Sequence, residues 1–253
     1  GVVPADCVGI VIGIDTGKRI LYWEVKAIRR SGGAAVIEYG TQPVDSDRLG
    51  VIQALVQALK ELKQYFDAGW RDESGQEWFP AQVWIDSAYH EHTDAVYEFC
   101  HAANKGLKLG SEIYRPMKGY GENQKRMTKY ISPKTKTAEV RYIGQEYHLS
   151  WIRRAKIMLV HINADHWKSE FHQRLAMPAE EPTAITLYQA ASSAEHIEYS
   201  RHITAERQVE KWVPGRGTVV VWERMERANH YFDAGYVATA AGHFVLHQLQ
   251  QHN

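Results

Sequence analysis

The chain has 253 residues, enough for one large domain or two small ones with a core of ordinary size. Thirty basic side chains balance thirty acidic ones, a neutrality that at face value argues against a nucleic-acid binder, which usually carries a basic excess. Hydrophobic residues make up 44% and charged residues 24%, which excludes wholesale disorder. The longest apolar-plus-glycine run, Cys7 to Ile14, is far short of the about 20 residues a membrane-spanning helix needs. Asp6 interrupts the start and no basic residues precede an apolar stretch, so no signal peptide is expected. The chain opens on Gly1 rather than Met, and the expectation is a domain cut from a longer protein. Cys7 and Cys100, the two cysteines, have no CxxC spacing and make no zinc site by themselves.

In chain order, Val8 to Ile14 is a β-branched run spaced by glycines and ending in Asp15-Thr-Gly17, the pattern of a strand buried on both faces. Ile20 to Ile28 alternates and reads as an antiparallel second strand. Ser31-Gly-Gly33 is a turn, and Ala35 to Tyr39 a third strand. Leu49 to Phe66 has apolar residues at threes and fours, a helix. Residues 67–79 read as a surface loop. Ala81 to Ile85 is a fourth strand ending in Asp86, Thr93 to Ala103 a helix, and Glu112 to Tyr114 a short strand. Residues 116–140 are mostly polar and read as a long loop or hairpin. His148 to Trp151 reads as a strand, Arg153 to Leu175 as a helix, Pro178 to Pro182 as a linker and Thr204 to Val209 as a short helix. Pro214 to Gly217 is a turn before the strand Thr218 to Val221, and Asn229 to His247 is the last helix.

The order β-β-β-α-β-α-β is informative. Doubly wound nucleotide-binding sheets alternate strand and helix from the start. A meander that then turns into alternation predicts an α/β protein with a ribonuclease H-like mixed sheet and flanking helices, in a single domain over residues 1–253.

Two predicted strands end in a carboxylate, Asp15 and Asp86, and a third acid, Asp233, lies in the first turns of the last helix. Ligand sites in open sheets form beyond strand ends and near helix N-termini. Converging carboxylates hold hard divalent cations through oxygen, and two such ions about 4 Å apart activate a water and stabilise the leaving oxygen of a phosphodiester. Taken singly, each acid also fits a turn or a cap. Asn229 and Asp233 are four apart and share a helix face. The small residues Ala234, Gly235, Ala238, Ala240 and Ala241 let that helix approach a sheet closely.

These residues carry a resemblance. Gly13-Ile-Asp15 with Arg19 to Glu24, Ile85 to Cys100, Pro116-Met-Lys-Gly119, Leu149 to Leu175 with Lys156, Ile203 to Arg207, and Asn229-His-Tyr-Phe-Asp233-x-x-Tyr236 resemble, in order, the nuclease domain of tailed-phage terminase large subunits of the lambda-like class. The resemblance implies a ribonuclease H-like, two-metal-ion endonuclease that cuts double-stranded viral DNA concatemers during genome packaging. It implies Asp15, Asp86 and Asp233 as catalytic, metal-binding acids, Mg²⁺ or Mn²⁺ as cofactor, and the host cytoplasm as location. It also implies double-stranded DNA, the portal and the small terminase subunit as partners, with no membrane. The family's packaging ATPase needs a GxxxxGK[ST] loop, and this chain has none. Phe232 stands where a smaller aliphatic residue is usual, and Ala88 where glycine is common.

The neutral total hides an uneven distribution. Residues 105–141 hold ten basic side chains against three acidic, a local excess of +7. Tyr120 and Tyr130 are interleaved there, and such an arm grips phosphates, although a solvated loop has the same composition. Lys118, Lys125, Arg126, Lys129, Lys134 and Lys136 are the candidate DNA contacts, with Lys118 nearest the scissile phosphate. Asn229, His90 and His230 are candidates to support the acids, and His92 lies in the same stretch as His90. For each histidine the plainer reading is a surface or capping role. Glu206 reads as the partner of a base. A junction-resolving or recombinase-type nuclease of the same fold, and a non-catalytic packaging-assembly module, fit the same residues.

Overall fold

A computed structural model describes residues 1–121, 130–133, 140–144, 146–215, 217–225 and 228–251, with the backbone alone for 140–144. The first three strands, β1 (Cys7–Thr16), β2 (Ile20–Arg29) and β3 (Ala34–Pro43), form the expected antiparallel meander. A short turn of helix, α1 (Ser46–Leu49), precedes α2 (Val51–Phe66), whose stripe of Ala54, Leu55, Ala58, Leu59, Leu62 and Phe66 is buried. Residues 67–79, read as loop, contain a small hairpin of β4 (Trp70–Arg71) and β5 (Glu77–Trp78). The Asp72 carboxylate nucleates it by accepting the backbone N–H groups of Ser74 and Gln76.

Next come β6 (Pro80–Asp86), α3 (His90–Ala103) and β7 (Tyr114–Tyr120). Both strands run parallel in the sheet, β6 beside β1 and β7 beside β6. After β7 follow β8 (Val140–Gly144), β9 (Tyr147–Ile152) and β10 (Ile157–Asn163), then α4 (Ala164–Leu175), β11 (Ile185–Leu187) and α5 (Ile197–Ile203). A separate two-stranded ribbon, β12 (Glu206–Val213) with β13 (Gly217–Arg224), leads into α6 (His230–Gln251). The main sheet has nine strands in the order β11-β3-β2-β1-β6-β7-β10-β9-β8. Its centre, an antiparallel β3-β2-β1 meander continued by parallel β6 and β7, is the ribonuclease H-like arrangement. No helix among the described residues is long and apolar enough to cross a membrane.

Four expectations need correction. The strand expected at Glu112 to Tyr114 starts at Tyr114 and runs to Tyr120, so the first part of the expected 116–140 loop is sheet. The arginine that most disguised it is held inside the protein. Arg115 is buried and bonds Glu112 at 2.9 Å and Gln82 at 3.0 Å. The helix expected from Arg153 begins only at Ala164, where the Asn163 side chain accepts the His166 N–H. Residues 157–163 are instead strand β10, because a short apolar run fits either state and here it is paired on both sides. Lys156 is at the turn between β9 and β10 with φ +52°. The short helix expected at Thr204 to Val209 is the start of β12, and the helix lies one step earlier, as α5.

Two apolar layers flank the sheet. Ile10, Ile12 and Ile14 of β1 join Leu55, Leu59, Val96 and Phe99 under α2 and α3. Val11, Trp84, Met117 and Val160 join Phe232, Val237, Ala241 and Phe244 under α6. Gly13 sets how closely α6 approaches: a Cβ there would stand 2.1 Å from the Ala234 carbonyl oxygen and 2.7 Å from the Ala238 nitrogen. Inside this contact the buried Lys26 ammonium donates to the Gly235 carbonyl at 2.7 Å and the Thr239 hydroxyl at 2.6 Å, with Glu24 at 3.1 Å. The lysine pins α6 to β2, and its buried counter-charge Glu24 also accepts from the Tyr199 hydroxyl at 2.8 Å.

Candidate active site

Strand pairing and side-chain alternation bring the three acids together. β1 and β6 are parallel neighbours in register at Ile14 and Ile85, so the next residues, Asp15 and Asp86, end up beside each other. Gly13 faces α6, and Trp84 packs its ring against Phe244 of α6. Two residues further along each strand, Asp15 and Asp86 point to that same face. Asp233 stands one residue before Ala234, whose carbonyl covers Gly13, so the close helix approach carries the third acid to the strand ends.

The acids share one electrostatic environment. Burial, then the Asp15 charge and more weakly the Asp233 charge, push the Asp86 carboxyl up to about 7, while Lys118 opposes the rise. Burial also pushes Asp233 up to about 6, with Asp15 and Glu206 adding to the rise and Lys168 opposing it. Tyr236 lies fully within this field, its phenol held well above its usual range by burial and by all three aspartates.

A set of polar side chains braces the acids. His230 Nδ1 is 2.7 Å from Asp15 Oδ2, and this bond holds the imidazole pKa above its usual value. The His230 ring stacks on Tyr22 at 4.5 Å. The Asn229 amide donates to Asp233 Oδ2 at 2.7 Å and to Glu206 Oε1 at 2.6 Å, and its oxygen accepts from Arg224. Lys168 donates to Glu206 at 2.7 Å and lies 3.4 Å from Asp233. Glu206 thus pairs with a base, as its sequence context indicated. His90 is exposed at the start of α3, and no described hydrogen bond joins it to the acids. Lys118 is half-buried in β7, where burial lowers its pKa and the Asp86 charge opposes the lowering. Lys125, Arg126, Lys129, Lys134 and Lys136 lie outside the described residues.

Among the described residues no three His, Cys, Asp or Glu side chains form a ready-made metal-ligand cluster. Lys168 draws on Asp233, and His230 holds Asp15. The donor chemistry nonetheless fits a hard divalent cation. Carboxylate oxygens are its preferred ligands, and a cation would relieve Asp86 and Asp233, each pushed up by burial and a neighbouring aspartate despite the nearby lysines.

Residues 1–252 match the family of the terminase large subunit gpA endonuclease domain. The chain belongs to this family. Among solved structures it is similar to the yeast mitochondrial Holliday junction resolvase, with 11% identity over 98% of this chain and 85% of the other, at a TM-score of 0.42. It is also similar to the Aquifex aeolicus member of the Ppx/GppA family, with 12% identity over 96% of this chain and 90% of the other, at a TM-score of 0.28. A comparison with curated proteins gives no match. The fold assignment rests on the strand order.

Two positions that depart from the terminase pattern are accommodated. Phe232 is fully buried and packs on Phe171, Trp222 and the imidazole of His172. The Ala88 N–H donates to Asp86 Oδ1 at 2.9 Å, a bond open to any residue with a free amide. The site residue missed in the sequence is Lys168. Its available signal is position: it follows Trp167 on α4 and lies one residue beyond the helical repeat from Ala164 through Trp167 to Phe171, a lone ammonium at the border of an apolar stripe.

Proposed function

We propose that this terminase endonuclease domain, taken as one unit over residues 1–253, is a divalent-metal-dependent nuclease that cuts double-stranded viral DNA concatemers during packaging. The observation that carries the reading is the common field of Asp15, Asp86 and Asp233, from two adjacent strand ends and one tightly seated helix. Asp15, Asp86 and Asp233 would hold Mg²⁺ or Mn²⁺, two ions in the favoured form. Bound there, the ions would supply activation of a water and stabilisation of the leaving oxygen at phosphorus.

The protein's own groups do the arranging. His230 fixes the rotamer of Asp15, and Asn229 with Lys168 fixes that of Asp233. Lys118, beside Asp86 in the sheet, supplies positive charge toward a phosphate. Phosphate contacts position a duplex without reading its bases, so weak sequence preference goes with this reading. The portal and the small terminase subunit are the partners in the packaging assembly, in the host cytoplasm.

The test is cleavage of linear duplex and of a four-way junction by the purified protein in Mg²⁺, Mn²⁺ or EDTA. Cleavage of both substrates with either ion and none in EDTA supports the reading. Strong preference for the junction favours a resolving nuclease. Neither cleavage nor calorimetric binding of millimolar Mn²⁺ favours a non-catalytic assembly module.

A further inference from the structure

The first turn of α3 holds a buried histidine that the three-acid arrangement does not explain. His92 is the third residue of α3 and only 1% exposed. Its Nδ1 is 3.3 Å from the Thr16 hydroxyl oxygen. That hydroxyl in turn donates to the Asp86 carbonyl oxygen at 3.1 Å. A hydroxyl has one proton. Since Thr16 gives it to Asp86, Nδ1 must carry the proton in the contact with Thr16, and the ring is the Nδ1–H tautomer. Nε2 is then a bare lone pair, and it is buried with no partner among the described residues. A buried polar atom without a partner is costly, so a ring retained in this place is held by what its other nitrogen does.

The chain His92 Nδ1–H to Thr16 Oγ1–H to Asp86 carbonyl spans three elements. Thr16 follows Asp15 directly at the end of β1, and Asp86 ends β6. The rest of the connection is pinned elsewhere. The Ser87 N–H and hydroxyl both reach the Met117 carbonyl at 2.9 Å. The Thr93 hydroxyl donates to the Ser87 carbonyl at 2.9 Å. Above His92, Tyr89 packs edge-on at 4.8 Å, and the Lys18–Glu91 ion pair joins the β1–β2 turn to α3. Thr16 is the hydrogen-bonded tie between the acid-bearing ends of β1 and β6, and His92 holds Thr16.

We propose that His92, as a neutral Nδ1–H imidazole acting through Thr16, is a positioning residue that fixes the spacing of Asp15 and Asp86. The proposal rests on the reading that these two acids act together on a phosphodiester. Burial lowers the His92 pKa, which agrees with a neutral ring at neutral pH.

The tautomer is read by ¹⁵N nuclear magnetic resonance on the intact protein, a measurement independent of activity. The expected result is a protonated Nδ1 and an unprotonated Nε2 for His92; the reverse tautomer overturns the proposal. In plasmid nicking with Mn²⁺, His92→Leu should lower kcat about tenfold with KM for DNA unchanged, because small misplacements of reacting groups are costly. His92→Asn puts an N–H near the Nδ1 position and should recover most of the rate, while His92→Leu in the Thr16→Val background should add no further loss. Equal rates for His92→Leu and His92→Asn, or a lowered melting temperature with unchanged kcat, overturn the role. Full activity of Asp15→Asn would instead overturn the reading of the acids and leave the tautomer result standing.

Discussion

Asp86→Asn should make the metal-free protein more stable while removing its cleavage activity. In the folded protein the Asp86 carboxyl rises from its ordinary 3.8 to about 7, through burial and the neighbouring aspartates. Between about pH 4 and pH 7 the native state therefore keeps a proton that the unfolded chain has released. Stability falls as pH rises through that window and levels off above it. At ~1.4 kcal/mol per tenfold change in proton affinity, the full loss is about 4 kcal/mol. Asp86 is partly open to solvent, and screening and relaxation bring the expectation to roughly 1–3 kcal/mol. Asparagine carries no charge and still offers an oxygen to the Ala88 N–H. Urea unfolding in EDTA should show the variant ahead of wild type by that amount at pH 8 and by little at pH 4. With millimolar Mn²⁺ in place of EDTA, the wild type should regain the lead. A variant no more stable than wild type at pH 8, or a gain of equal size at both pH values, refutes the raised proton affinity of Asp86.

Lys168→Met leaves the buried Glu206 and the half-buried Asp233 carboxylates without their ammonium and should cost about 3 kcal/mol in urea unfolding at pH 8. The loss should shrink toward pH 5 as Asp233, already pushed up to about 6, takes up a proton, and adding Glu206→Gln should recover part of it. Gly13→Ala places a Cβ 2.1 Å from the Ala234 carbonyl and should cost about 1–3 kcal/mol by overpacking. It should also slow cleavage, because the displaced helix carries Asp233; unchanged stability would contradict the tight seating of α6.

The parts of the fold that the sequence displays plainly are those whose burial is one-sided or complete. β1, β2 and β6 are apolar runs with a two-residue alternation, and α2 has an uninterrupted stripe. Asp15 and Asp86 stand out because each closes such a run, and Asp233 because it precedes a string of small residues. β10 is hidden because its apolar run flows into α4 with no glycine or proline between them. β7 is hidden because Arg115 and Lys118 look like surface residues, although the first is wholly buried against Gln82 and Glu112. Lys168 shows only as a lone ammonium beside the apolar stripe of α4, its acidic partners lying far off in the chain, and of the Thr16–His92 tie local periodicity holds no trace.

Nicking of supercoiled plasmid in Mn²⁺ by Asp15→Asn, Asp86→Asn and Asp233→Asn, each with circular dichroism to verify the fold, reads out whether the three carboxylates act in cleavage. Every variant should stay folded and lose roughly a hundredfold or more in rate. A folded variant of any of the three that cuts at the wild-type rate would contradict that role.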